Sequence, residues 1–325
     1  MRNFLVTGGC GFIGQGLIRA LAADPANRIR VVDNLCAGKP EALDGIRPLH
    51  RVEEPDWADP AIQLLVGDIA DAALAVKAAS GADAIIHLAA NTGVGPSVQD
   101  PRADCMTNII GTFNYLEAAR QGGVRRFVFA SSGAVVGEVT PPIVETLPAC
   151  PVSPYGASKL AGEGYCSAYW RTFGIATTAL RFGNVYGPGS AHKESVVAKF
   201  IRHALAGEAL EVYGDGSQTR DFIFIDDLIE AIRLSLTADS AAAGEVFQIA
   251  AGRETTLAEM LDSLLPALES EGVAGIRVTY TQPRLGDVAR NCSDTSKARD
   301  ILGWTARHGL PEGLGRTVRW FLGRI

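Results

Sequence analysis

The N-terminal half of the chain alternates short apolar runs with longer segments of helical periodicity. The apolar runs predict buried strands at 4–6, 29–32, 64–66, 84–88 and 127–130. Apolar residues at helical spacing predict helices at 12–23, 72–79 and 103–121. Strands that are apolar on both faces and alternate with helices belong to a parallel sheet covered on both sides. The pattern therefore predicts an α/β fold with a doubly wound parallel sheet.

The pattern changes in the second half of the chain. A long helix at 154–173 leads into a further strand at 175–180, and past Phe182 the periodicity loosens. Loops rich in glycine and proline then separate three predicted helices and one more core strand. These elements are 195–206, 226–236, 256–268 and the strand 246–249. We predict a sheet domain over 1–181, completed by about 222–250, and a smaller substrate-binding lobe formed mainly by 182–325.

Composition narrows the class of protein. The chain has 325 residues, 47% of them hydrophobic, which is enough for a full core. A net charge of -6 argues against nucleic acid as the main partner. No apolar run is long enough for a membrane span, and a strand starts almost at once, so neither a membrane anchor nor a secretion signal is expected. Six scattered cysteines form no metal-binding or disulfide pattern, and we expect buried free thiols in the cytoplasm.

A glycine-rich turn, TGGCGFIG over residues 7–14, follows the first strand and opens the first helix. Gly8 allows the tight turn, Gly11 lets the backbone approach a pyrophosphate, and Gly14 permits close packing of helix on strand. The helix N-terminus offers free N–H groups and its positive dipole end to the phosphates. This arrangement predicts a dinucleotide in a Rossmann-type domain, against the alternative of a glycine turn without a ligand.

Acidic residues follow the next two strands. Asp33 ends the second strand about 20 residues beyond the glycines, where a carboxylate accepts hydrogen bonds from the adenosine ribose. No basic residue follows Asp33, and its charge would repel a 2′-phosphate, so NAD is favoured over NADP. Asp68 ends the third strand and is a candidate adenine contact, or else an exposed carboxylate at a strand end.

A Tyr/Lys pair suggests proton and hydride chemistry. Tyr155 and Lys159 are four residues apart on the helix 154–173 and so face the same way. The ammonium and a positive nicotinamide would favour the phenolate of a tyrosine whose pKa is otherwise about 10. Ser132 lies at the carboxyl end of the fifth strand, where its hydroxyl would contact the substrate oxygen that Tyr155 deprotonates. On spacing alone, however, such a pair is common and is more often only a surface pair.

These motifs together resemble the extended short-chain dehydrogenases/reductases, and within them the UDP-glucose 4-epimerase-like NAD-dependent epimerase/dehydratase family. The similarity spans nearly the whole chain. It is carried by TGGCGFIG at 7–14, DNL at 33–35, HLAA at 87–90, NIIGT at 108–112, SS at 131–132, YGASK at 155–159, RFGNVYGP at 181–188, YGDG at 213–216, RDF at 220–222 and RLGD at 284–287. The resemblance implies further NAD contacts at Phe12, Ile13, Asn34, Ile69, Leu88, Ala89, Ala90 and Asn108.

The resemblance also implies a nucleotide-sugar site in the second half. Arg220 and Arg284 would grip the diphosphate of a UDP-sugar, for which the arginine fork is suited, although either is by itself equally a salt-bridged surface residue. Asn184 would hydrogen-bond the same ligand, and Asp287 would hold Arg284 or touch the ligand. Asn291 aligns with a gate that is tyrosine in enzymes restricted to plain hexoses, and a smaller residue resembles epimerases that accept N-acetylated sugars.

Three positions bear on the reaction. Relatives that dehydrate or decarboxylate carry Glu or Asp just after the serine or threonine at this strand end, whereas this chain has Gly133 and Ala134, neither of which can act as acid or base. Val136 stands where relatives often have tyrosine, which bears on the shape of the pocket. His87, at a strand end within an apolar run, is interpreted as a structural histidine near the cofactor rather than a general base.

The sequence thus predicts an NAD-dependent isomerase, a nucleotide-sugar 4-epimerase. Tyr155 would take the C4 hydroxyl proton of a plain, N-acetylated or uronic UDP-hexose, giving a 4-keto sugar that rotates before reduction on its other face. Two alternatives stay open: an NAD(P)-dependent oxidoreductase such as a 4-ketosugar reductase, and a non-catalytic NAD-sensing protein. The resemblance also implies a homodimer formed through the helices 103–121 and 154–173.

Overall fold

The computed structural model describes residues 2–282 and 289–324. The strands are β1 (Asn3–Thr7), β2 (Arg28–Asp33), β3 (Leu49–Arg51), β4 (Ile62–Val66), β5 (Ala84–His87), β6 (Arg126–Ser132), β7 (Ala176–Phe182), β8 (Asn184–Tyr186), β9 (Leu210–Tyr213), β10 (Thr219–Arg220), β11 (Phe222–Phe224), β12 (Glu245–Ile249), β13 (Thr255–Thr256) and β14 (Val278–Thr281). The helices are α1 (Phe12–Ala22), α2 (Ala72–Ala79), α3 (Val94–Gln99), α4 (Pro101–Cys105), α5 (Gly111–Gly122), α6 (Pro154–Phe173), α7 (Val196–Leu205), α8 (Ile225–Ser235), α9 (Leu257–Ser270) and α10 (Leu310–Phe321).

Eight parallel strands form one sheet in the order β12-β7-β6-β5-β1-β2-β4-β3, which confirms the predicted α/β fold. The chain leaves β1 towards β2 and β4, and then returns to form β5 on the other side of β1. In a doubly wound sheet this reversal opens a crevice at the carboxyl ends of the two strands. The topology therefore places the candidate site above β1 and β5.

Alternation along the strands divides the core between the two faces of the sheet. Phe4, Val6 and Val128 pack into one buried cluster, whereas Leu5 and Phe127 pack into a second. Successive side chains of a strand point to opposite faces, so each strand contributes to both clusters. This two-sided burial explains why the strands are apolar throughout.

Of the elements beyond Phe182, one strand joins the main sheet and others pair outside it. β12 pairs with β7, so residues 245–249 enter the main sheet. Three small pairs lie elsewhere, β8 with β11, β9 with β14 and β10 with β13. The division into domains at residue 181 stays a prediction.

Several elements differ from the sequence prediction. The single helix predicted at 103–121 is α4, a π-helical turn at Met106–Ile110 and α5. The helices α3 and α10, and the short strands β3, β8–β11, β13 and β14, were not predicted. Strands of two to four residues are too short to show a periodicity. Helix α10 contains two glycines and three charged residues, so its apolar stripe is sparse.

The expectations about membrane-spanning helices and about the cysteines have direct outcomes in the structure. Among the described residues no helix is both long and apolar enough to cross a membrane. All six cysteines are free, with Cys10 and Cys166 buried, as expected. The expectation of burial is wrong for Cys36, Cys105 and Cys150, which are exposed, and Cys292 is half-buried.

Two glycines of α6 predict stability changes of opposite sign. A Cβ at Gly162 would lie 2.3 Å from the Phe129 ring, whereas a Cβ at the exposed Gly164 would meet nothing within 4 Å. Because alanine favours a helix over glycine, Gly164→Ala should raise the free energy of unfolding by about 0.5–1 kcal/mol. Gly162→Ala should lower it by about 1–3 kcal/mol through overpacking. Urea denaturation of both variants measures the difference, and changes of the same sign would contradict this packing.

Candidate active site

A cavity of about 620 Å³ lies at the carboxyl ends of β1, β5 and β6. Most of the predicted site residues line it. They are Gly8, Gly11, Phe12, Ile13, Gly14, Asp33, Asn34, Ile69, Leu88, Ala89, Ala90, Ser132, Tyr155, Lys159 and Asn184. The fold therefore brings the glycine turn, the Tyr/Lys pair and one predicted substrate contact into a single concave site of the size that holds a cofactor.

The glycine turn is shaped by close backbone approach. Gly8 has φ +70°, and a Cβ there would fall 2.8 Å from the Ala89 nitrogen. A Cβ at Gly14 would fall 2.3 Å from the Gly8 carbonyl oxygen, so helix α1 can reach the turn only without a side chain. Gly11 is the N-cap of α1 and no side chain caps the first turn. The N–H groups of that turn are therefore available to phosphate oxygens, as the cofactor requires.

Asp33 ends β2 with a fixed carboxylate. One oxygen accepts a hydrogen bond from the Cys10 nitrogen at 2.9 Å, and the other accepts one from the Leu35 nitrogen at 2.9 Å. A carboxylate oxygen has lone pairs for a second donor, such as a ribose hydroxyl. Residues 34 and 36–38, which line this end of the cavity, are uncharged. The residues present therefore fit NAD, with its unphosphorylated ribose.

Asp68 does not line the cavity. It is exposed, and its carboxylate accepts hydrogen bonds from the Asn34 side chain at 2.8 Å and from the Ala70 nitrogen at 2.9 Å. Its neighbour Ile69 does form part of the wall. The adenine contact at Asp68 stays a prediction, and in this structure Asp68 positions Asn34.

His87 is a buried link behind the cofactor wall. Its Nδ1 lies 2.9 Å from Thr7 Oγ1 and its Nε2 lies 3.2 Å from Thr112 Oγ1. Thr112 donates its own proton to the Asn108 carbonyl, so Nε2 must carry the proton and Nδ1 accepts one from Thr7. Thr7 Oγ1 in turn accepts from the Ala89 nitrogen. Burial and the nearby Lys159 lower the His87 pKa to about 3, so the imidazole is neutral and structural.

Asn108 also lies behind the cavity rather than on it. Its side-chain oxygen accepts from the Asn91 nitrogen at 2.8 Å. Its amide nitrogen lies within hydrogen-bond distance of the Asn91 carbonyl, the Asp104 carboxylate and the Ser158 hydroxyl. These bonds tie the loop after β5 to the start of α6. The direct cofactor contact stays a prediction, and the structure gives Asn108 a positioning role.

The Tyr/Lys pair occupies the first turns of α6. Ser153 caps this helix by accepting from the Gly156 nitrogen at 3.1 Å, and Pro154 follows it. Lys159 is buried, donates to the Ala130 carbonyl at 2.8 Å, and has its Nζ 5.9 Å from the centre of the Tyr155 ring. The four-residue spacing thus turns both side chains towards the end of β6.

Burial and hydrogen bonding set the protonation of the pair. Burial raises the pKa of Tyr155, a hydrogen bond with Ser132 acts in the opposite direction, and Asp104 adds to the rise. Burial lowers the pKa of Lys159 to about 8, against the attraction of Asp104. At neutral pH the phenol is protonated and the ammonium is still charged. The lowering of the Tyr155 pKa by Lys159 and a positive nicotinamide concerns the cofactor-bound protein and stays a prediction.

The strand end beside Tyr155 carries no acid. Ser132 ends β6 and its hydroxyl accepts from the Ala134 nitrogen at 3.2 Å, starting the short 3-10 turn Gly133–Val135. A Cβ at Gly156 would lie 2.4 Å from the Ala134 carbonyl oxygen, so α6 presses directly on this turn. Val136 is fully buried and does not line the cavity, contrary to the expectation that it shapes the pocket.

The predicted substrate contacts are only partly assembled. Asn184 is in the cavity wall, with its backbone nitrogen donating to the Asp221 carbonyl at 2.8 Å. Arg220 and Asn291 do not line the cavity, although both contact Thr219 and so lie near each other. Arg284 and Asp287 lie outside the described residues. The grip on a diphosphate stays a prediction.

Several lining residues were not predicted from the sequence. They are Cys36, Ala37, Gly38, Gly67, Asn91, Thr92, Ala103, Thr107, Ala130, Ser131, Phe182, Gly183, Val185, His192, Lys193 and Ser195. Some of them are adjacent in sequence to predicted residues at a strand end, and this adjacency could have identified them. Thr92, His192 and Lys193 come from separate loops with no motif of their own, so only the folded chain brings them to the cavity.

Comparison with known proteins covers nearly the whole chain. Residues 4–250 match the family described as NAD dependent epimerase/dehydratase. A UDP-glucose 4-epimerase from Mycolicibacterium smegmatis is 37% identical over 322 residues, covering 98% of this chain and 97% of that protein. A dTDP-glucose 4,6-dehydratase from Streptomyces antibioticus is 35% identical over 326 residues, covering 98% and 92%. A solved UDP-N-acetylglucosamine 4-epimerase from Methanobrevibacter ruminantium M1, in complex with UDP-N-acetylmuramic acid, has a TM-score of 0.88 at 31% identity, covering 100% and 99%.

Proposed function

We propose that this chain, which belongs to the NAD-dependent epimerase/dehydratase family, is an isomerase that inverts C4 of a UDP-hexose through a transient 4-keto sugar. One observation carries the choice of epimerase over dehydratase. Of the described residues that line the cavity, Asp33 alone has a carboxyl group, and it belongs to the adenosine end. Beside Tyr155 and Ser132 stand Gly133 and Ala134, so the described part of the site places no carboxyl group where it could protonate a departing hydroxyl group.

The proton chemistry belongs to Tyr155. The glycine turn and Asp33 would hold NAD, which when bound would supply the hydride acceptor and donor. The Tyr155 oxygen takes the proton of the C4 hydroxyl as the ketone forms, and gives it back when the ketone is reduced. Ser132 hydrogen-bonds the same sugar oxygen, and the Lys159 ammonium stabilises the phenolate by its charge. The proton and hydride both return to the sugar, so the cycle has no net redox change.

The bound nucleotide would anchor the substrate while the 4-keto sugar rotates. Arg220 and Arg284 would bind the two phosphates through paired N–H donors, and Asn184 would contact the ligand from the cavity wall. The sugar is then free to present its other face. The small Asn291 supports an N-acetylated hexose as one substrate, in line with the UDP-N-acetylglucosamine 4-epimerase to which the chain is similar.

A direct assay tests the proposed function. Purified protein is incubated with UDP-glucose, UDP-N-acetylglucosamine or UDP-glucuronate without added NAD, and the C4 epimers are separated by chromatography. We expect at least one substrate to reach equilibrium with its epimer, with no net change in nicotinamide absorbance. Stoichiometric formation or consumption of reduced nicotinamide would indicate a net oxidoreductase instead. If none of the three sugars reaches equilibrium with its C4 epimer, even after NAD is supplied, the proposal is wrong for these substrates.

We also infer a homodimer formed through α5 and α6 and the turn before them. Apolar side chains are exposed on this surface at Met106, Ile110, Tyr165 and Phe173. Because α5, α6 and this turn pack on one another, these exposed side chains favour association, and a twofold axis would bury them against a copy of the chain. None of these four side chains lines the cavity.

Changing one of these residues tests the dimer. Ile110→Asp should convert the dimer to a monomer, because it places a charge in an apolar contact. Sedimentation velocity measures the change. Leu205→Asp is the matched control, since Leu205 is 38% exposed and ends α7, which packs mainly on β9. An Ile110→Asp protein that sediments like the parent chain would contradict the assignment.

A further inference from the structure

The segment 187–195, here called the strap, joins β8 to α7 and touches both walls of the cavity. Near one end, the Gly189 carbonyl accepts a hydrogen bond from Gln15 Nε2 at 3.3 Å, and Gln15 belongs to the first turns of α1. Near the other, Lys193 Nζ donates to Thr92 Oγ1 at 3.3 Å, and Thr92 lies in the loop after β5. The strap therefore connects the first turns of α1 with the loop that follows β5.

The strap is held firmly along its length. Gly189 has φ +93°, and a Cβ there would fall 2.8 Å from the Gln15 side chain, so the strap packs directly on α1. The buried Ser190 hydroxyl donates to the Gly187 carbonyl at 2.7 Å. From α7, Arg202 donates to the carbonyls of Ala191 and Lys193. The position of Lys193 is thus set by its backbone as well as by Thr92.

Lys193 is a cation inside the cavity without an acidic partner. Within 2–282 and 289–324, its ammonium has one hydrogen-bond partner, the neutral hydroxyl of Thr92. The adjacent Glu194 is paired with Arg202 at 2.7 Å. Burial lowers the Lys193 pKa, which records the cost of holding this charge away from water. A half-buried ammonium without a carboxylate is suited to an anion that arrives with a ligand.

The positively charged side chains that line the cavity indicate where such an anion would bind. Among the described lining residues, the lysines are Lys159 and Lys193. Lys159 is committed to the Ala130 carbonyl beside Tyr155, at the reactive end. A dinucleotide brings two negative charges to the N-terminus of α1, where the helix supplies only partial positive charge. Of the two described lining lysines, Lys193 is the one not committed to the reactive end, and its strap is also bonded to Gln15 of α1.

We propose that Lys193 binds the pyrophosphate of NAD from the strap, opposite the N-terminus of α1, so that the strap closes the cofactor cleft. The inference rests on NAD binding, which the family establishes, and not on the choice of epimerase. Its consequence is that residues beyond the sheet domain retain the cofactor. An isomerase that regenerates its cofactor in every cycle gains from such retention, because release would interrupt turnover.

Binding measurements on NAD-depleted full-length protein test the proposal. In Lys193→Met, NAD affinity by isothermal titration should fall about 10- to 100-fold, the effect of losing one charge-assisted hydrogen bond. The affinity for UDP should stay within about twofold, since its diphosphate is expected at Arg220 and Arg284 instead. Lys193→Arg keeps the charge and should retain most of the NAD affinity. Lys199→Met makes the same charge change on α7, beside Tyr213 and outside the cavity, and should leave NAD affinity unchanged.

Three outcomes would overturn the proposal. The first is NAD affinity in Lys193→Met equal to that of the parent chain. The second is an equal loss in Lys193→Met and Lys199→Met, which would mean a general effect of net charge. The third is loss of UDP affinity with NAD affinity retained, which would assign the ammonium to the nucleotide sugar. If Lys193→Met fails to fold, Thr92→Val, which removes the hydroxyl that orients Lys193, is measured against Lys193→Arg, and parental NAD affinity in Thr92→Val would then count against the proposal.

Discussion

Tyr155→Phe removes a single oxygen and should reduce kcat by about 10²- to 10⁴-fold, the range expected when a general acid/base is lost. The ring remains, so the wall of the cavity keeps its shape and the protein should still bind NAD. The phenol is the group between Ser132 and Lys159 that can both take and return a proton. His87, the other candidate at this end, is locked between Thr7 and Thr112 and held neutral.

The measurement pairs epimerisation rate with NAD binding in the same preparation. Tyr165→Phe is the matched control, because Tyr165 lies on the same helix, is exposed and contacts Phe113 through its ring rather than its hydroxyl. We expect that control to turn over at the parental rate. Parental turnover in Tyr155→Phe would remove Tyr155 from the mechanism, and loss of NAD binding along with turnover would assign it a mainly structural role.

Glu163→Ala should lower the free energy of unfolding by about 3–5 kcal/mol, the cost of leaving one partner of a buried ion pair uncompensated. Glu163 accepts two hydrogen bonds from Arg181, each 2.8 Å, and one from the Ser131 hydroxyl at 2.6 Å. Both charged side chains are about 95% buried. Without Glu163 the guanidinium would stay buried with no counter-charge, and one of its nitrogens already lacks a partner in the described structure.

Denaturant unfolding of Glu163→Ala measures this cost, with Glu230→Ala as the control. Glu230 pairs with Arg233 at 2.8 Å on the surface of α8, where both side chains are more than 40% exposed. That pair should contribute less than about 1 kcal/mol. Equal effects of the two substitutions would mean that the buried pair is solvated or relaxes on mutation. The buried network joins β6, α6 and β7 and includes Ser131, the neighbour of Ser132, so its loss should also reduce activity.

Local patterns determined much of the fold and of the chemistry. Sterics at Gly8 and Gly14, the period of the strands and the four-residue spacing of Tyr155 and Lys159 act over a few residues, and each could be read in advance. Asp33 could also be predicted, because the end of the second strand fixes where its carboxylate lies. Gly133 and Ala134 stand directly after Ser132, so the absence of an acid beside Tyr155 was visible in the sequence as well.

Tertiary structure decided what depends on long-range packing. Asn108 and Asp68 are motif residues, yet in the folded chain neither lines the cavity, and they hold Asn91 and Asn34 instead. Arg220 lies near Asn291 but off the described cavity. No local periodicity or spacing encodes such positions, since each depends on how separate loops pack.

The strap illustrates most clearly the difference between what local sequence specifies and what packing decides. As a sequence, His192 and Lys193 are two basic residues in a loop without a motif. Only when the strap packs on Gln15 and Thr92 does the Lys193 ammonium enter the cofactor cleft. The sequence by itself determined the sheet, the dinucleotide turn and the reactive pair, because short-range sterics and periodicity specify them. The folded chain decided which distant charges and hydroxyls surround them, because contacts between loops far apart in sequence arise only from packing.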